Sequence, residues 1–172
     1  MDGNGRWAKG KGAARIFGHR NAVEAVRQVT EGCGELGVRY LTLYAFSTEN
    51  WGRPKEEVDG LMELLVNTIN TEIDSLHKNN VRLRTIGDIS HLPVYCQNNL
   101  AEAIESTKNN TGLTVLLALS YSGRWEIIQA VKHLAEDVKK GALAMEEITE
   151  SNFNSYLETA GVPDPELLIR TS

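Results

Sequence analysis

The chain has 172 residues, 41% of them hydrophobic and 24% charged, which fits one ordinary globular domain with a sizeable core and excludes a disordered tail. Its net charge of −5 argues against a general nucleic-acid binder, yet residues 1–20 carry five bases (Arg6, Lys9, Lys11, Arg15, Arg20) against Asp2 alone. A basic end on an acidic chain points to a local anion site. Cys33 and Cys96 stand far apart and outside any C-x-x-C pattern, which argues against zinc and a disulfide framework and for a reducing cytoplasm.

Taken in chain order, residues 1–20 read as a glycine-rich loop, and Ala22, Val23, Val26, Val29, Cys33 and Leu36 predict a helix over 21–36, stopped by Gly37. "VRYLTLYAF" (38–46) predicts a buried strand, followed by the loop "STENWGR". A helix follows over 54–76, opened by Pro54 and carrying Val58, Leu61, Met62, Leu65, Ile69 and Ile73 on one face. A strand at 81–88, a helix at 93–107, a strand at 111–121, a helix at 124–140, a short helix near 147–159 and a last strand begun at 166–171 complete the reading. Strands alternating with long helices predict an α/β fold: a central, mostly parallel β-sheet flanked by helices, in a single domain over 1–172. The longest apolar run, Val115–Leu119, is too short to cross a bilayer, and the polar stretch after Met1 does not read as a secretory leader.

Ligands of open parallel sheets bind beyond the carboxyl ends of the strands. "STENW" and "SYSGRW" (120–125) both fall there. The opening "MDGNGRWAKGKG" admits three readings: turns on a solvated surface, a G-x-G-x-x-A dinucleotide fingerprint over Gly3–Ala8, or a diphosphate and Mg²⁺ site. In the third, glycine amides and forked arginines hold phosphate oxygens while Asp2 serves the metal, which accounts for the acid as well as the bases. His19 is either a cap or surface residue or a donor to phosphate. Ser47, Thr48 and Trp51 each have mundane roles as turn formers or packing residues, but together with Glu49, Asn50 and Arg53 they look like a ligand-facing loop. The stripe Val58–Ile73 reads as core or as a lipid-binding wall. Arg124 and Trp125 open a helix in what could be a structural role, and Arg170, at a strand end, calls for an anionic partner.

On these residues the sequence resembles the cis-prenyltransferases, and among them the bacterial undecaprenyl diphosphate synthases. The matching segments are "MDGNGRWA", "FGH" (17–19), "LTLYAFSTENW" with "RP" (53–54), "VRLRTIGD", "GLT" (112–114), "GRW" (123–125) and "LLIRTS" (167–172), in the family's order along the whole chain. The resemblance implies a cytoplasmic enzyme that adds isopentenyl diphosphate units to an allylic diphosphate such as farnesyl diphosphate. The new double bonds are cis, and the polyprenyl product serves as a carrier lipid for cell-wall synthesis. It implies Mg²⁺, a homodimer working at the membrane surface, no nucleic acid, and a hydrophobic tunnel lined by the helix of 54–76.

Position by position, the resemblance makes Asp2 the essential acid for Mg²⁺ and diphosphate. Gly3, Asn4, Gly5 and Arg6 hold the allylic diphosphate, with Trp7, Arg15 and His19 beside it. Ser47, Thr48, Glu49, Asn50, Trp51 and Arg53 form the catalytic loop, with a role in proton removal attached to Asn50, and Arg170 contacts the second diphosphate. The family also has a short strand before the opening motif and further elements after the closing one, so the 172 residues read as part of a longer domain. The missing C-terminal part would supply more diphosphate ligands, a second acidic metal ligand and dimer contacts. The D-D-x-x-D pairs of the trans class are absent: the sequence has no adjacent aspartates. A non-catalytic partner subunit, which typically lacks the acid and the F-S-T-E-N-W loop, and a nucleotide-binding oxidoreductase are the alternatives.

Overall fold

A computed structural model describes residues 3–170. The first departure from expectation is at the start, where the opening loop is largely helical. Helix α1 (Asn4–Gly10) leaves Gly3 at φ 85°, turns at Lys11 and Gly12, and is followed by α2 (Arg15–Glu35), which begins six residues before the expected start. The two helices pack so closely that a Cβ on Gly18 would lie 2.0 Å from the Asn4 carbonyl oxygen. Gly18 and Ala8 are buried at the crossing. Glycine usually weakens a helix, but here it lets two backbones touch, and that contact is invisible to a reading of propensity. His19 therefore sits inside α2 and not before it.

Three strands follow: β1 (Tyr40–Ser47), β2 (Arg82–Ile86) and β3 (Thr114–Tyr121). They form a parallel sheet in the order β1-β3-β2, with Tyr40 and Arg82 both aligned on Thr114. The central strand β3 is buried at every position but Leu117, as a strand covered on both faces must be. It starts three residues later than expected, because Thr111 and Gly112 first bond to the Asn80 side-chain and backbone oxygens.

Helices α3 (Lys55–Lys78) and α4 (Val94–Thr107) cover one face of the sheet. Val58, Met62 and Ile69 from the α3 stripe join Leu43, Phe46, Leu83, Val115 and Leu119 from the sheet and Cys96 and Leu100 from α4 in the main core. Met62 is 1% exposed, a burial that contributes about 1.5–3 kcal/mol by transfer alone. Pro54 stands immediately before α3, whose first turn carries Glu56 and Glu57 and whose last turn carries His77 and Lys78, so the charges complement the helix dipole.

The second face carries a smaller cluster, Ile86, Leu116, Ala118 and Tyr121, against which Tyr40, Trp125 and Val162 pack. Trp125 comes from the first turn of α5 (Gly123–Lys140), whose Ile127, Ile128 and Val131 are about half exposed. The short helix expected at 147–159 is narrower: α6 spans Glu150–Asn154 after a 3-10 turn at Met145–Glu147. The last expected strand is not formed among the described residues. Leu167, Leu168 and Ile169 are at least 74% exposed in irregular chain, since an apolar run makes a strand only where a neighbouring ladder accepts its backbone. No helix among the described residues is long and apolar enough to cross a membrane.

Candidate functional site

Because all three strands run the same way, their carboxyl ends open on one side, and each passes into a short structured turn there. β1 leads into a 3-10 turn, Thr48–Gly52; β2 passes through Gly87 and Asp88 into another, Ile89–His91; β3 passes through Ser122, which caps α5. The Ser122 hydroxyl accepts the Trp125 backbone N–H at 3.3 Å.

The first group of site residues gathers on Glu57, in the first turn of α3. Its Oε1 accepts from Arg53 Nη1 at 2.9 Å and faces Arg15 Nη1 at 3.5 Å, so one carboxylate holds two guanidinium groups from different elements. Gly5 abuts the same place: a Cβ there would stand 3.2 Å from Arg15 Cγ, so the glycine leaves the room in which the arginine side chain lies over α1. Half-buried His19 completes the group. Burial pushes its imidazole below the ordinary value, Arg53 and Arg15 push it further, and Glu57 alone opposes them. Among the described residues, two cations, a largely neutral imidazole and one acid leave a net positive, forked surface, chemistry suited to phosphate.

The second group is the turn after β1. Asn50 Oδ1 accepts the Ser47 backbone N–H at 3.0 Å, which closes the turn on itself. The Glu49 carboxylate is held below the usual range by hydrogen bonds from its own backbone and from the Ser47 and Thr48 hydroxyls, with Arg124 of α5 adding attraction. Trp51 lies inward, edge-on to Phe46 at 4.8 Å between centroids, and its Nε1–H donates to Ser120 Oγ at 2.9 Å.

The structure therefore brings together Gly5, Arg15, His19 and Arg53 around Glu57, and Ser47, Thr48, Glu49, Asn50 and Trp51 in one turn. Gly3, Asn4, Arg6 and Trp7 belong to the start of α1, where Trp7 stacks on Phe17 at 6.1 Å and carries Lys11 Nζ 4.4 Å over its ring. Arg170 lies in irregular chain and not at a strand end. Asp2, the expected acid and metal ligand, lies outside the described residues. Among those described, no group of three or more His, Cys, Asp or Glu comes together as a metal site.

Sequence reasoning missed Glu57, although its i,i+4 spacing from Arg53 is a legible ion-pair signal. It also missed the contacts of Ser120 and His91 with Trp51, although Ser120 opens the polar cluster 120–125. Gly3–Ala8, which also fit the dinucleotide pattern, open a seven-residue helix packed on α2.

The prenyltransferase family model described as undecaprenyl diphosphate synthase matches residues 1–172. The chain belongs to the undecaprenyl diphosphate synthase family. It is 54% identical over all 172 residues to the isoprenyl transferase of Clostridium tetani and spans 68% of that protein. It is equally similar, 54% over 172 residues and 69% of the relative, to the ditrans,polycis-undecaprenyl-diphosphate synthase ((2E,6E)-farnesyl-diphosphate specific) of Micrococcus luteus. Among solved structures, lavandulyl diphosphate synthase from Lavandula x intermedia, in complex with dimethylallyl diphosphate, superimposes with a TM-score of 0.89 at 31% identity. That match covers 92% of this chain and 68% of the lavender enzyme. The α/β architecture of this synthase family member is thus the one expected, a parallel sheet flanked by helices.

Proposed function

We propose that the protein is a cis-prenyltransferase that condenses isopentenyl diphosphate units onto an allylic diphosphate, farnesyl diphosphate being the primer its Micrococcus luteus relative is named for. In each cycle the allylic C–O bond breaks and its electron pair leaves with diphosphate. The isopentenyl double bond attacks the resulting cation, and a proton lost from the isopentenyl unit leaves a new cis double bond. The product is a polyprenyl diphosphate, the carrier-lipid precursor for cell-wall assembly. The observation that carries the reading is the convergence of Arg15, Arg53 and His19 on one carboxylate beside the opening glycines, a cradle for a diphosphate.

In this reading Gly3, Asn4, Gly5 and Arg6 line the allylic diphosphate with Trp7, Arg15 and His19 beside it, and Arg170 serves the second diphosphate. Ser47, Thr48, Glu49, Trp51 and Arg53 shape the turn that meets both substrates. Asn50, whose carboxamide oxygen accepts the Ser47 N–H, takes part in removing the proton, with a diphosphate oxygen as its acceptor. Asp2 with substrate oxygens would hold Mg²⁺, an arrangement magnesium commonly takes, and Glu57 holds two arginines. When bound, the ion neutralises charge on the departing diphosphate.

The growing chain would run along α3 on the side facing α2, where a cleft of about 70 Å³ is lined by Ile16, Arg20, Gly60, Glu63, Leu64 and Asn67. Residues 1–172 act as one domain, working as a homodimer at the cytoplasmic face of the membrane. The test is incorporation of labelled isopentenyl diphosphate into extractable lipid with farnesyl diphosphate and Mg²⁺. Product that disappears with EDTA supports the reading; silence from this chain and from a C-terminally extended one would defeat it.

A further inference from the structure

The loops that leave the three strands interlock on the indole of Trp51. The ring comes from the turn after β1; the His91 ring, from the turn after β2, lies 5.4 Å away between centroids; Ser120 Oγ, at the end of β3, accepts the indole N–H at 2.9 Å. Ser120 is itself clamped from behind. Its carbonyl accepts the Asp88 N–H at 3.3 Å, and Gly87 (φ 107°) lies so near that a Cβ there would stand 2.2 Å from the Leu119 carbonyl oxygen. The β1–β3 register slips twice beside it, around Phe46, which marks a bulge where the strand ends turn toward the site.

Ser120 holds φ 49°, the left-handed region, while 3% exposed. Glycine adopts that conformation without strain and a serine does not. If the position only turned the chain, glycine would serve it better, so the hydroxyl has its own use, and the structure shows which: it is the partner of Trp51. We propose that Ser120 is a positioning residue for prenyl transfer, fixing Trp51 and through it the turn of residues 47–53 against the ends of all three strands. This rests on the prenyl-transfer reading for what the turn does, but the anchoring itself does not.

Three variants separate the hydroxyl from the backbone. Ser120→Gly removes the acceptor and relieves the strain; Ser120→Ala removes the acceptor and keeps the strain; Ser120→Asn supplies a carbonyl acceptor from a residue that tolerates the left-handed region. Each is measured for thermal stability, for kcat and KM with labelled isopentenyl diphosphate, and for acrylamide quenching of Trp51. The Trp51 signal is the difference between each protein and its Trp51→Phe counterpart. Losing one hydrogen bond from a positioned group is expected to lower kcat/KM by roughly two- to tenfold in both Gly and Ala variants, mostly in kcat. Quenching of Trp51 rises at least about twofold, although Ser120→Gly melts no lower than the parent. Ser120→Asn recovers both properties. Parental quenching and kinetics in Ser120→Gly would overturn the proposal, as would a stably folded Ser120→Asn that recovers neither. If the parent chain incorporates no isopentenyl unit, the prenyl-transfer reading is the one that falls, and the quenching comparison still decides whether Ser120 anchors Trp51.

Discussion

Two glycines of the same helix respond in opposite directions to the same substitution. At Gly18 an alanine Cβ would lie 2.0 Å from the Asn4 oxygen, 2.7 Å from its carbonyl carbon and 3.1 Å from Ala8 Cβ, whereas ordinary contact begins at 3.4 Å, so α1 must retreat by more than 1 Å. Overpacking of this kind costs about 1–3 kcal/mol, and the helix gains back roughly 0.5–1 kcal/mol from losing a glycine. Gly18→Ala is therefore expected to destabilise by about 1–2 kcal/mol, chiefly by undocking α1 and with it Gly3–Trp7. At Gly32 nothing lies within 4 Å of the added Cβ, so Gly32→Ala keeps only the gain and stabilises by about 0.5–1 kcal/mol. Denaturant titration gives the signs, and hydrogen exchange over residues 4–10 gives the location: faster exchange in Gly18→Ala only. Two variants of equal stability, with α1 equally protected, would refute the close helix contact.

Glu57→Gln removes the acid that the two arginines share among the described residues; inorganic pyrophosphate should then inhibit several-fold more tightly, while kcat falls because the forks lose their common anchor. Weaker pyrophosphate inhibition would contradict this. His19 has a folded-state pKa below its ordinary value, so its contribution to stability is complete above about pH 6.5 and is lost as pH falls from there toward the depressed value. His19→Gln should flatten the stability profile below pH 6.5, and an allylic diphosphate should bind with proton uptake, seen as a buffer-dependent enthalpy, because an anion favours the charged imidazole. A profile unchanged by the substitution would remove His19 from the cluster. Thr107, fully buried, accepts the Leu83 N–H at 3.1 Å and donates to Ala103 O at 2.8 Å. Thr107→Val should cost about 2 kcal/mol, a fall in Tm of roughly 4–8 °C, without changing KM. An unchanged Tm would show that water or another group replaces the hydroxyl.

What the sequence made legible was whatever is written locally. The α3 stripe, the β-rich runs at β1 and β3 and the clustering of polar motifs beyond strand ends each depend on residues a few positions apart, and each appears where the period put it. The opening failed for the opposite reason. Its residues were read as a loop, whereas they are largely helical, and Gly18 and Gly5 make close contacts with Asn4 and Arg15 on another element. The closing segment failed because "LLI" has the composition of a strand but, among the described residues, no ladder to join. Arg15 and His19 were grouped apart from Arg53, and Glu57 shows that the three form one electrostatic unit.

The order β1-β3-β2 also sets a schedule for the chain as it leaves the ribosome. Tyr40 and Arg82 both align on Thr114, so among the described residues neither β1 nor β2 finds its partner until β3 has been synthesised. Until then the apolar faces of β1, α3 and β2 share no sheet to collapse on, and the nascent protein waits with them open to water and to other chains. Parallel pairings of such long sequence separation close slowly. Translation rate across residues 82–121 and the supply of holding chaperones should therefore govern the yield of folded enzyme more than any substitution in its finished core.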